Sequence, residues 1–550
     1  MHLPVAAVGA PQAPATCEGA MTTREAAMVT EDQSEVVAFL DSPSTHGGTP
    51  VVRIETHASV VFLAGATAWK MKRAVRYDYL DFSTADRRRE MCEAELWVNR
   101  RTARELYLDV VPVTREVGGQ LAIAGHGEPV EWLVKMARFD EDYLFDRLAS
   151  ANRLDLGLMV RLATAVATLH REAERRADHG GSAGMRWVVE GNVSGLTEFG
   201  GGTVTPSAVR ALAEGSRRSL AAHRVRLDAR QRDGFVRRGH GDLHLRNIVL
   251  LGGRPVLFDG IEFNDELACT DVFYDLAFLL MDLWHRGLPA HANAVLNGYL
   301  TETGDVDGLA VLPFFLSCRA AVRAKTSATG ARMQSDPVRA RELEEAAVDY
   351  LGMAQQFLDL PPACLVAIGG RSGSGKSTVA RGIAPAVGAV PGAVVIRSDE
   401  VRKALAGVDG LTPLGPEGYT ADMTRRVYAA LAERAARALA TGHAVVVDAV
   451  FVRDEHRSAI EAVAAAAHVP FVGLWLDVPE VTLLARVAQR HGDASDADAR
   501  VVRRQLVEDT GVVNWTRVDA TGPADDVVRR VAAMVTGRLR GGALRAPHGP

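Results

Sequence analysis

The sequence contains few lysines and few cysteines. Only six of its 63 basic residues are lysines, and the five cysteines include no C-x-x-C pair. This pattern indicates neither a disulfide framework nor a zinc site, so we expect a reducing, cytoplasmic setting. No apolar run is long enough to span a bilayer, and the first thirty residues lack the basic start of a signal peptide, so we expect no membrane partner.

The chain also lacks a strong charge of either sign. Its net charge is −5 over 550 residues, and no stretch combines basic and aromatic side chains. Both features argue against nucleic acid as a partner. The length predicts two or more domains, and an apolar fraction of 47% is ordinary for a globular protein. The sequence does not indicate the oligomeric state.

Domain boundaries follow from composition. We predict a disordered extension over 1–30, a first domain over 31–358, a second domain over 363–540 and a flexible tail over 541–550. Pro361-Pro362 marks the break between the domains. The first domain begins with strand-like runs and continues with helical patterns. The second alternates strands and helices, which predicts an α/β fold with a parallel sheet.

A phosphate-binding loop opens the second domain. An apolar run ends before the sequence G-G-R-S-G-S-G-K-S-T at 369–378, and a helix-compatible segment follows it. This order predicts a loop whose backbone amides cradle the phosphates of ATP. Lys376 would reach the β- and γ-phosphates, and the Ser377 hydroxyl would hold Mg²⁺. The predicted cofactor-binding residues are Gly370, Ser372, Gly373, Ser374, Gly375, Lys376, Ser377 and Thr378.

A second chemical loop lies in the first domain. The sequence H-G-D-L-H-L-R-N at 240–247 is followed, after a hairpin, by Asp259. Asp242 would orient or accept the proton of a hydroxyl, and Asn247 and Asp259 would hold Mg²⁺. His240 and His244 are better interpreted as structural hydrogen-bonding groups, because Mg²⁺ prefers oxygen ligands.

A strand and a helix upstream supply a candidate ion pair. Lys70 and Lys72 share one face of a predicted strand. Either lysine could reach a phosphate, or both could be exposed on an edge strand. Ser83 and Asp86 have the capping-box spacing of a helix that would run to about Glu105. On it Glu95 lies among apolar neighbours and would pair with a strand lysine; Glu90 and Glu93 are alternatives, as is an unpaired surface glutamate.

These first-domain motifs resemble the aminoglycoside phosphotransferase (choline kinase-like) family over about residues 35–350. The resemblance implies an α+β bilobal, protein-kinase-like fold. It implies Asp242 as catalytic base, Asn247 and Asp259 as Mg²⁺ ligands, and Lys70 paired with Glu95 at the ATP site. The chain departs from the pattern in two places: it has no G-x-G-x-x-G loop, and Asp259 is followed by Gly-Ile-Glu262.

An acidic stretch follows this site, with Asp265, Glu266, Asp271, Asp275 and Asp282. In aminoglycoside-modifying relatives, acidic residues of the helical lobe hold a polycationic substrate. The favoured interpretation here is helix caps and solvated helix faces.

Further candidates follow the strands of the second domain. Asp399 would orient an acceptor hydroxyl, and Arg402 would hold the anionic group of the acceptor. The alternative is an N-cap and a surface arginine. Asp448 ends a Walker B-like strand and would contact Mg²⁺ through water; the alanine after it favours transfer to an acceptor over ATP hydrolysis.

A helix further on carries Arg486 and Arg490 at i and i+4. This pair would close over the phosphates of ATP as a lid. A solvated helix face is the alternative.

The second domain resembles small P-loop kinases such as polynucleotide kinase, gluconate kinase and zeta-toxin relatives, over about 363–540. The tandem arrangement resembles the bifunctional aminoglycoside phosphotransferase/ATP-binding family. We therefore expect an ATP- and Mg²⁺-dependent phosphotransferase with two nucleotide sites, acting on hydroxyls of small molecules. The alternative is a regulatory protein whose first domain only binds and whose P-loop domain alone turns over ATP. A nucleic-acid end kinase is less favoured.

Overall fold

A computed structural model of the protein describes residues 28–56, 58–77, 80–201, 203–409, 412–489 and 495–543. The chain divides into two compact units. The first comprises the chain up to Leu154, Ala165–Asp282 and Phe314–Leu358, and the second comprises Asp155–Thr164, Leu283–Pro313 and the chain from Asp359 onward. Two segments within the predicted first domain, 155–164 and 283–313, therefore fall in the second unit.

The first unit begins with a small β-rich lobe. Six antiparallel strands are arranged in the order β2-β3-β4-β9-β7-β8, and a second sheet has the order β1-β5-β6. The elements are β1 Met28–Val29, α1 Ser34–Asp41, β2 Val51–Glu55, β3 Ser59–Ala64, β4 Thr67–Lys72, β5 Val75–Tyr77, β6 Leu80–Asp81, α2 Ala85–Asn99, β7 Tyr107–Arg115, β8 Leu121–Ile123 and β9 Glu128–Ala137.

Alternation along β4 directs its side chains to two cores. Met71 packs with Leu40 of α1, whereas Ala68 packs with Cys92 of α2. Because Lys70 and Lys72 share the face of Ala68, they project toward α2.

Helix α2 begins and ends differently from its predicted bounds. The side chain of Thr84, not Ser83, caps the helix by accepting a hydrogen bond from Arg87 N. The helix ends at Asn99 rather than near Glu105, and the turns after it lead into β7. The capping-box spacing was therefore assigned one residue too early.

Helices dominate the chain that follows. Two short antiparallel strand pairs, β10 with β13 and β11 with β12, lie among them. The elements are α3 Phe145–Ser150, α4 Leu156–Glu172, α5 Gly181–Phe199, α6 Pro206–Arg232, β10 Val236–Arg238, β11 Ile248–Leu251, β12 Arg254–Leu257, α7 Asp265–Ala268, β13 Cys269–Asp271, α8 Val272–His285, α9 Pro289–Thr303, α10 Leu312–Met333 and α11 Pro337–Gln356.

The P-loop part of the second unit is built on a five-stranded sheet. All its pairings are parallel, in the order β15-β16-β14-β17-β18, which confirms the predicted α/β fold. The elements are β14 Leu365–Gly370, α12 Lys376–Ile383, β15 Val394–Arg397, α13 Ser398–Ala406, α14 Ala421–Ala440, β16 Val445–Asp448, α15 Asp454–Ala466, β17 Phe471–Asp477, α16 Glu480–Ala488, α17 Ala499–Val507, β18 Thr516–Asp519 and α18 Ala524–Ala543.

Strand β14 is buried along its whole length, as expected for the centre of a parallel sheet. Its carboxyl end therefore lies in the middle of the sheet edge where α/β proteins bind ligands.

The predicted terminal segments lie mostly outside the described residues. Of the predicted extension, Met28–Val29 form β1 and pair with β5. Of the predicted tail, 541–543 complete α18. Among the described helices, those with the length to cross a bilayer are too polar to do so.

Candidate active sites

Two lysines and a glutamate form a buried ion network between β4 and α2. Lys70 Nζ lies 2.7 Å from Glu95 Oε1, and Lys72 Nζ lies 2.8 Å from Glu95 Oε2. Lys72 also contacts Glu262, and its side chain is only 1% exposed. The predicted pairing of Lys70 with Glu95 is therefore confirmed. The edge-strand alternative is wrong, because β4 has a neighbour on each side.

The network fixes the charges of Lys70 and Glu95. Burial lowers the pKa of Lys70, but the carboxylates of Asp259 and Glu95 outweigh it and raise this pKa well above its ordinary value. Burial raises the pKa of Glu95, but Lys70 and Lys72 outweigh it and lower this pKa to about 2. Lys70 is thus a permanent positive charge at neutral pH.

The loop after β10 presents Asp242 and Asn247. Both side chains are buried, and Asn247 Nδ2 donates to the backbone oxygen of Asp242 at 3.0 Å and to its Oδ2 at 2.9 Å. His244 Nε2 lies 3.4 Å from the same Oδ2. His240 Nε2 lies 2.9 Å from Phe258 O, and burial lowers the pKa of His240, so a neutral ring donates there. These contacts agree with the structural interpretation of both histidines.

Asp259 follows β12 in an uncommon backbone conformation. Its φ is +60°, and its backbone N donates to the Tyr107 hydroxyl at 3.1 Å. Asp259 Oδ1 lies 2.7 Å from Lys70 Nζ. The next amide, of Gly260, donates to Asn99 Oδ1 at 2.8 Å. The turn is therefore held by α2 and β7, and it places the carboxylate beside Lys70.

Two carboxylates of the acidic stretch accept hydrogen bonds from the backbone of the Asp242 loop. Asp275 accepts from His240 N at 2.7 Å and Gly241 N at 3.0 Å, and Asp282 accepts from Leu245 N at 3.0 Å. Both carboxylates are buried. Burial raises the pKa of Asp275, but hydrogen bonding and charge from His170 outweigh burial and lower it.

The interpretation of this stretch as helix caps and solvated faces is therefore wrong for Asp275 and Asp282. Asp271 does cap α8, because its Oδ1 accepts from Phe273 N at 2.9 Å. Asp271 is also buried and pairs with Arg230 Nε at 2.7 Å. Asp265 contacts Arg176 and Arg238, and Glu266 lies 3.6 Å from His179.

A cavity of about 310 Å³ collects the groups of the first unit. One part of its wall is polar and the other is apolar. The polar part includes Lys70, Asp242, Asn247 and Asp259, and the apolar part includes Leu63, Ala68, Met136, Phe139 and Phe258. The β3–β4 hairpin beside it closes through the short turn at Gly65 and Ala66, where the resemblance would place a glycine-rich loop.

In the second unit, the P-loop joins β14 to α12. Gly373 has φ +86°, and a Cβ there would lie 2.7 Å from Leu483 O, so no larger residue fits. Lys376 begins α12, and its Nζ donates to Arg371 O at 3.1 Å. The first amides of a helix have no intrahelical acceptor, so they face the loop with a partial positive charge.

Ser377 and Asp448 meet beside this loop. The Ser377 hydroxyl donates to Asp448 Oδ2 at 2.5 Å. The buried Arg397 contacts both, with Nε 3.4 Å from Asp448 Oδ2 and Nη2 3.1 Å from Ser377 Oγ. The sequence interpretation missed Arg397. It is the register partner of Asp448 in the adjacent parallel strand, so aligning the two strand ends would have found it.

Asp399 and Arg402 both lie on α13 and line a cavity that also contains P-loop residues. Burial raises the pKa of Asp399, the charge of Asp448 raises it further, and Lys376 offsets part of the rise. Arg402 is only 8% exposed, and its Nη1 donates to Gly418 O at 2.8 Å. The surface-arginine alternative for Arg402 is therefore wrong.

Gln505 of α17 is a second residue that sequence reasoning missed. It accepts from Ser372 N at 2.8 Å and donates from Nε2 to Ser372 Oγ at 3.1 Å. Arg371 Nε donates to Gln505 O at 3.2 Å. These bonds fix α17 to the P-loop. No local signal in the sequence indicates this pairing, because the two segments lie more than 130 residues apart.

A cavity of about 460 Å³ brings most of the predicted second-unit residues together. Gly370 and Ser374 are part of the loop but are not among the lining residues, and Arg490 lies outside the described residues. Arg486 Nη2 donates to Thr521 O at 3.2 Å. The predicted residues that line the cavity are Ser372, Gly373, Gly375, Lys376, Ser377, Thr378, Asp399, Arg402, Asp448 and Arg486.

The donor sets of both sites fit Mg²⁺ better than a softer metal. Within the described residues, no group of three or more His, Cys, Asp or Glu could hold a metal ion. Each site instead offers two oxygen-bearing side chains, Asn247 with Asp259 and Ser377 with Asp448. Mg²⁺ is commonly held in this way, by one or two protein oxygens, phosphates and water.

Two family models match separate parts of the chain. Residues 145–312 match the family model for the phosphotransferase enzyme family, and residues 365–508 match that for an AAA domain. The uncharacterized protein Rv2004c of Mycobacterium tuberculosis (strain H37Rv) is 31% identical over 510 residues, which cover 88% of this chain and 97% of the relative.

The chain belongs to the same family. In it, an aminoglycoside phosphotransferase-like kinase domain precedes a P-loop, kinase-like domain. Kinase and P-loop families generally use ATP with Mg²⁺, and the family assignment supports a phosphotransferase.

Two solved structures are similar to separate parts of the chain. A gluconokinase from Sinorhizobium meliloti 1021 is 26% identical and covers 34% of this chain and 98% of its own, with a TM-score of 0.26. A choline/ethanolamine kinase family protein from Mesorhizobium loti is 13% identical and covers 59% of this chain and 99% of its own, with a TM-score of 0.37.

Proposed function

We propose that the protein is an ATP- and Mg²⁺-dependent phosphotransferase with two nucleotide sites, each passing the γ-phosphoryl group to a hydroxyl of a small molecule. One observation carries this proposal. Each unit has a cavity that gathers a lysine, two Mg²⁺-compatible side chains and a further carboxylate able to act as base. Phosphoryl transfer needs this set, because catalysis there consists mainly of positioning and charge stabilisation.

In the first unit, Lys70 supplies the fixed positive charge for the phosphates, with Glu95 holding its ammonium. Asp242 orients the acceptor hydroxyl and takes its proton as the new oxygen–phosphorus bond forms and the bond to the leaving ADP breaks. Asn247 and Asp259 would hold Mg²⁺, which when bound neutralises charge on the phosphates. The apolar wall suits a flat nucleobase.

In the second unit, the P-loop amides and Lys376 receive the phosphates, and Ser377 and Asp448 would hold Mg²⁺. Asp399 is the candidate base. A raised pKa suits this role, because proton transfer is most efficient when the pKa of the base is close to the working pH. Arg486 also lines this cavity and adds a further positive charge to its wall.

Arg402 indicates the acceptor chemistry of the second unit. Six arginines of the described residues are buried: Arg88, Arg230, Arg319, Arg397, Arg402 and Arg457. All except Arg402 have a carboxylate oxygen within 4.0 Å in the described part of the chain. Burying a charge without a counter-charge is costly, so Arg402 would receive its counter-charge from a bound ligand. We infer an acceptor with a carboxylate or phosphate group.

Replacing Arg402 tests this acceptor class. Hydroxy acids and phosphorylated alcohols should accept phosphate from wild-type protein better than neutral alcohols do. In Arg402→Gln the KM for the anionic acceptor should rise about tenfold or more, the cost of losing hydrogen bonds to a charged group, while the KM for ATP stays the same. Arg425→Gln is the control, since Arg425 lines the same cavity but is exposed and paired with Asp422. Equal effects of the two variants would contradict the assignment.

The two-site proposal is tested first by Mg·ATP binding. Calorimetry on wild-type protein should give two sites per chain. Lys376→Ala should remove one and Asp259→Ala the other, because each removes a phosphate- or metal-binding group from one cavity only.

A single site that disappears only with Lys376→Ala would instead support the second candidate, a regulatory protein whose first unit is a binding module. The short turn at Gly65 and Ala66 favours that candidate, because it offers fewer backbone amides to a phosphate than a glycine-rich loop.

A further inference from the structure

Helix α9 completes the open edge of the P-loop sheet. Strand β15 is the outermost strand on its side, and an edge strand leaves backbone N–H and C=O groups without a strand partner. Asn293 Nδ2 donates to Pro391 O at 3.2 Å and to Ala393 O at 3.0 Å. From the next turn of α9, Asn297 Oδ1 accepts from Val395 N at 2.7 Å.

The two asparagines act as a substitute for a neighbouring strand. A side-chain amide carries the same donor and acceptor as a peptide group, so it can pair with both groups of an edge. Asn297 Nδ2 donates to Ala393 O at 3.3 Å and to Asn293 Oδ1 at 3.1 Å, which locks the pair together. Asn293 is 4% exposed. If its side-chain amide were removed, the carbonyls of Pro391 and Ala393 would lose a hydrogen-bond donor that water could not easily replace.

Strand β15 positions two charged residues of the P-loop site. It ends at Arg397, whose guanidinium contacts Ser377 and Asp448, and the chain continues directly into Asp399. A shift of β15 therefore moves the candidate base and the arginine behind the metal-binding pair. The P-loop itself extends from β14, two strands away, and would keep its own geometry.

We propose that Asn293 and Asn297 are positioning residues of the P-loop active site. They belong to the part of the chain matched by the phosphotransferase family model, although α9 packs in the second unit. The P-loop site is therefore built from two distant stretches of sequence, and the functional P-loop unit includes 283–313. The kinetic arm of the test rests on the proposed function; the structural arm does not.

The test uses the full-length chain with Asn297→Leu, which keeps the size of the side chain and removes its donor and acceptor. The control is Thr301→Val, one turn along α9, whose exposed hydroxyl donates to Asn297 O of its own helix. Hydrogen exchange is measured over 394–397, followed by Mg·ATP affinity and the rate of phosphoryl transfer.

We expect faster exchange at Val395 in Asn297→Leu, unchanged exchange in the control, and Mg·ATP affinity within about twofold of wild type. The transfer rate at the P-loop site should fall roughly tenfold to a hundredfold, the cost of a misplaced catalytic group. Wild-type exchange at Val395 in Asn297→Leu would overturn the proposal. Asn293→Leu should give a larger effect of the same kind, and if it fails to fold Asn297→Leu still decides.

The exchange measurement needs no acceptor. If no transfer is found with any acceptor, the proposed function fails while the role of α9 is still judged by exchange. If transfer occurs and Asn297→Leu transfers normally with wild-type exchange, the role of α9 fails alone.

Discussion

Glu95 binds one lysine on each carboxylate oxygen, so it has two ion pairs where a single lysine–glutamate pair would have one. Both lysines line the cavity, but the side chain of Lys72 is only 1% exposed and bridges Glu95 to Glu262. Burial and the charge of Glu95 raise the pKa of Glu262, and Lys72 opposes this rise. Lys72 is therefore the cation that offsets the repulsion between these two neighbouring carboxylates. Lys70 bridges Glu95 to Asp259 in the same way, but only the Lys72 bridge is almost completely shielded from solvent.

Replacing Lys72 should destabilise the first unit strongly. Lys72→Met leaves Glu262 without its cation and Glu95 with one, and breaking a buried pair costs about 3–5 kcal/mol. The measurement is hydrogen exchange of β4 in increasing urea, which reports on the first unit. Lys135→Met, on the neighbouring β9 and outside the network, is the matched control and should change stability by less than about 1 kcal/mol. Equal losses in the two variants would contradict the assigned role.

The Glu95 carboxyl should give the first unit a defined acid sensitivity. Its pKa falls from 4.5 to about 2 on folding, so its contribution is fully present above pH 4.5 and is lost as the pH falls toward 2. The difference in unfolding free energy between wild type and Glu95→Gln should be largest near neutral pH and should shrink across that window. The check is urea unfolding at a series of pH values. A difference independent of pH would show that Glu95 acts by packing alone.

Among the elements, the P-loop contains a backbone position that tolerates no side chain. Gly373 and Gly442 have nearly the same φ, +86° and +84°, but Gly373 is closely packed, whereas nothing lies within 4 Å of a Cβ at Gly442. Gly373→Ala should abolish Mg·ATP binding at the P-loop, because the loop must move away from Leu483 O. Gly442→Ala should cost about 1–2 kcal/mol of stability and leave binding intact. Calorimetry and thermal unfolding separate the two; normal binding by Gly373→Ala would exclude a phosphate-cradling loop.

Local patterns predicted the elements that depend on local physics. The alternation in 67–72 placed two lysines on one strand face, and the strand–loop–helix order at 365–383 predicted the P-loop. The capping of α2 by Thr84 rather than Ser83 is a one-residue error within a correct helix. Asp275 is different, because the backbone amides that donate to its carboxylate lie 34 and 35 residues away, and spacing alone suggested a cap.

At the scale of the whole molecule, the order of the two folds was predictable but the membership of the second unit was not. Nothing local in helix α9 indicates that Asn293 and Asn297 face a sheet edge about a hundred residues later. Gln505 and the P-loop raise the same difficulty. Such contacts are set by tertiary packing, which one sequence does not encode in its periodicity.

The scarcity of lysine makes the two cavities chemically addressable. Lys72, Lys325 and Lys403 are buried, which leaves Lys70, Lys135 and Lys376 as the partly accessible amines of the described chain. Two of these three line the cavities, one in each unit. An ATP analogue with an amine-acylating phosphate end should therefore label Lys376, and should label Lys70 more slowly because its neighbouring carboxylates raise the pKa of its amine. Peptide mass spectrometry would read both sites from a single sample. Protection by excess Mg·ATP of one peptide but not the other would show which unit holds nucleotide.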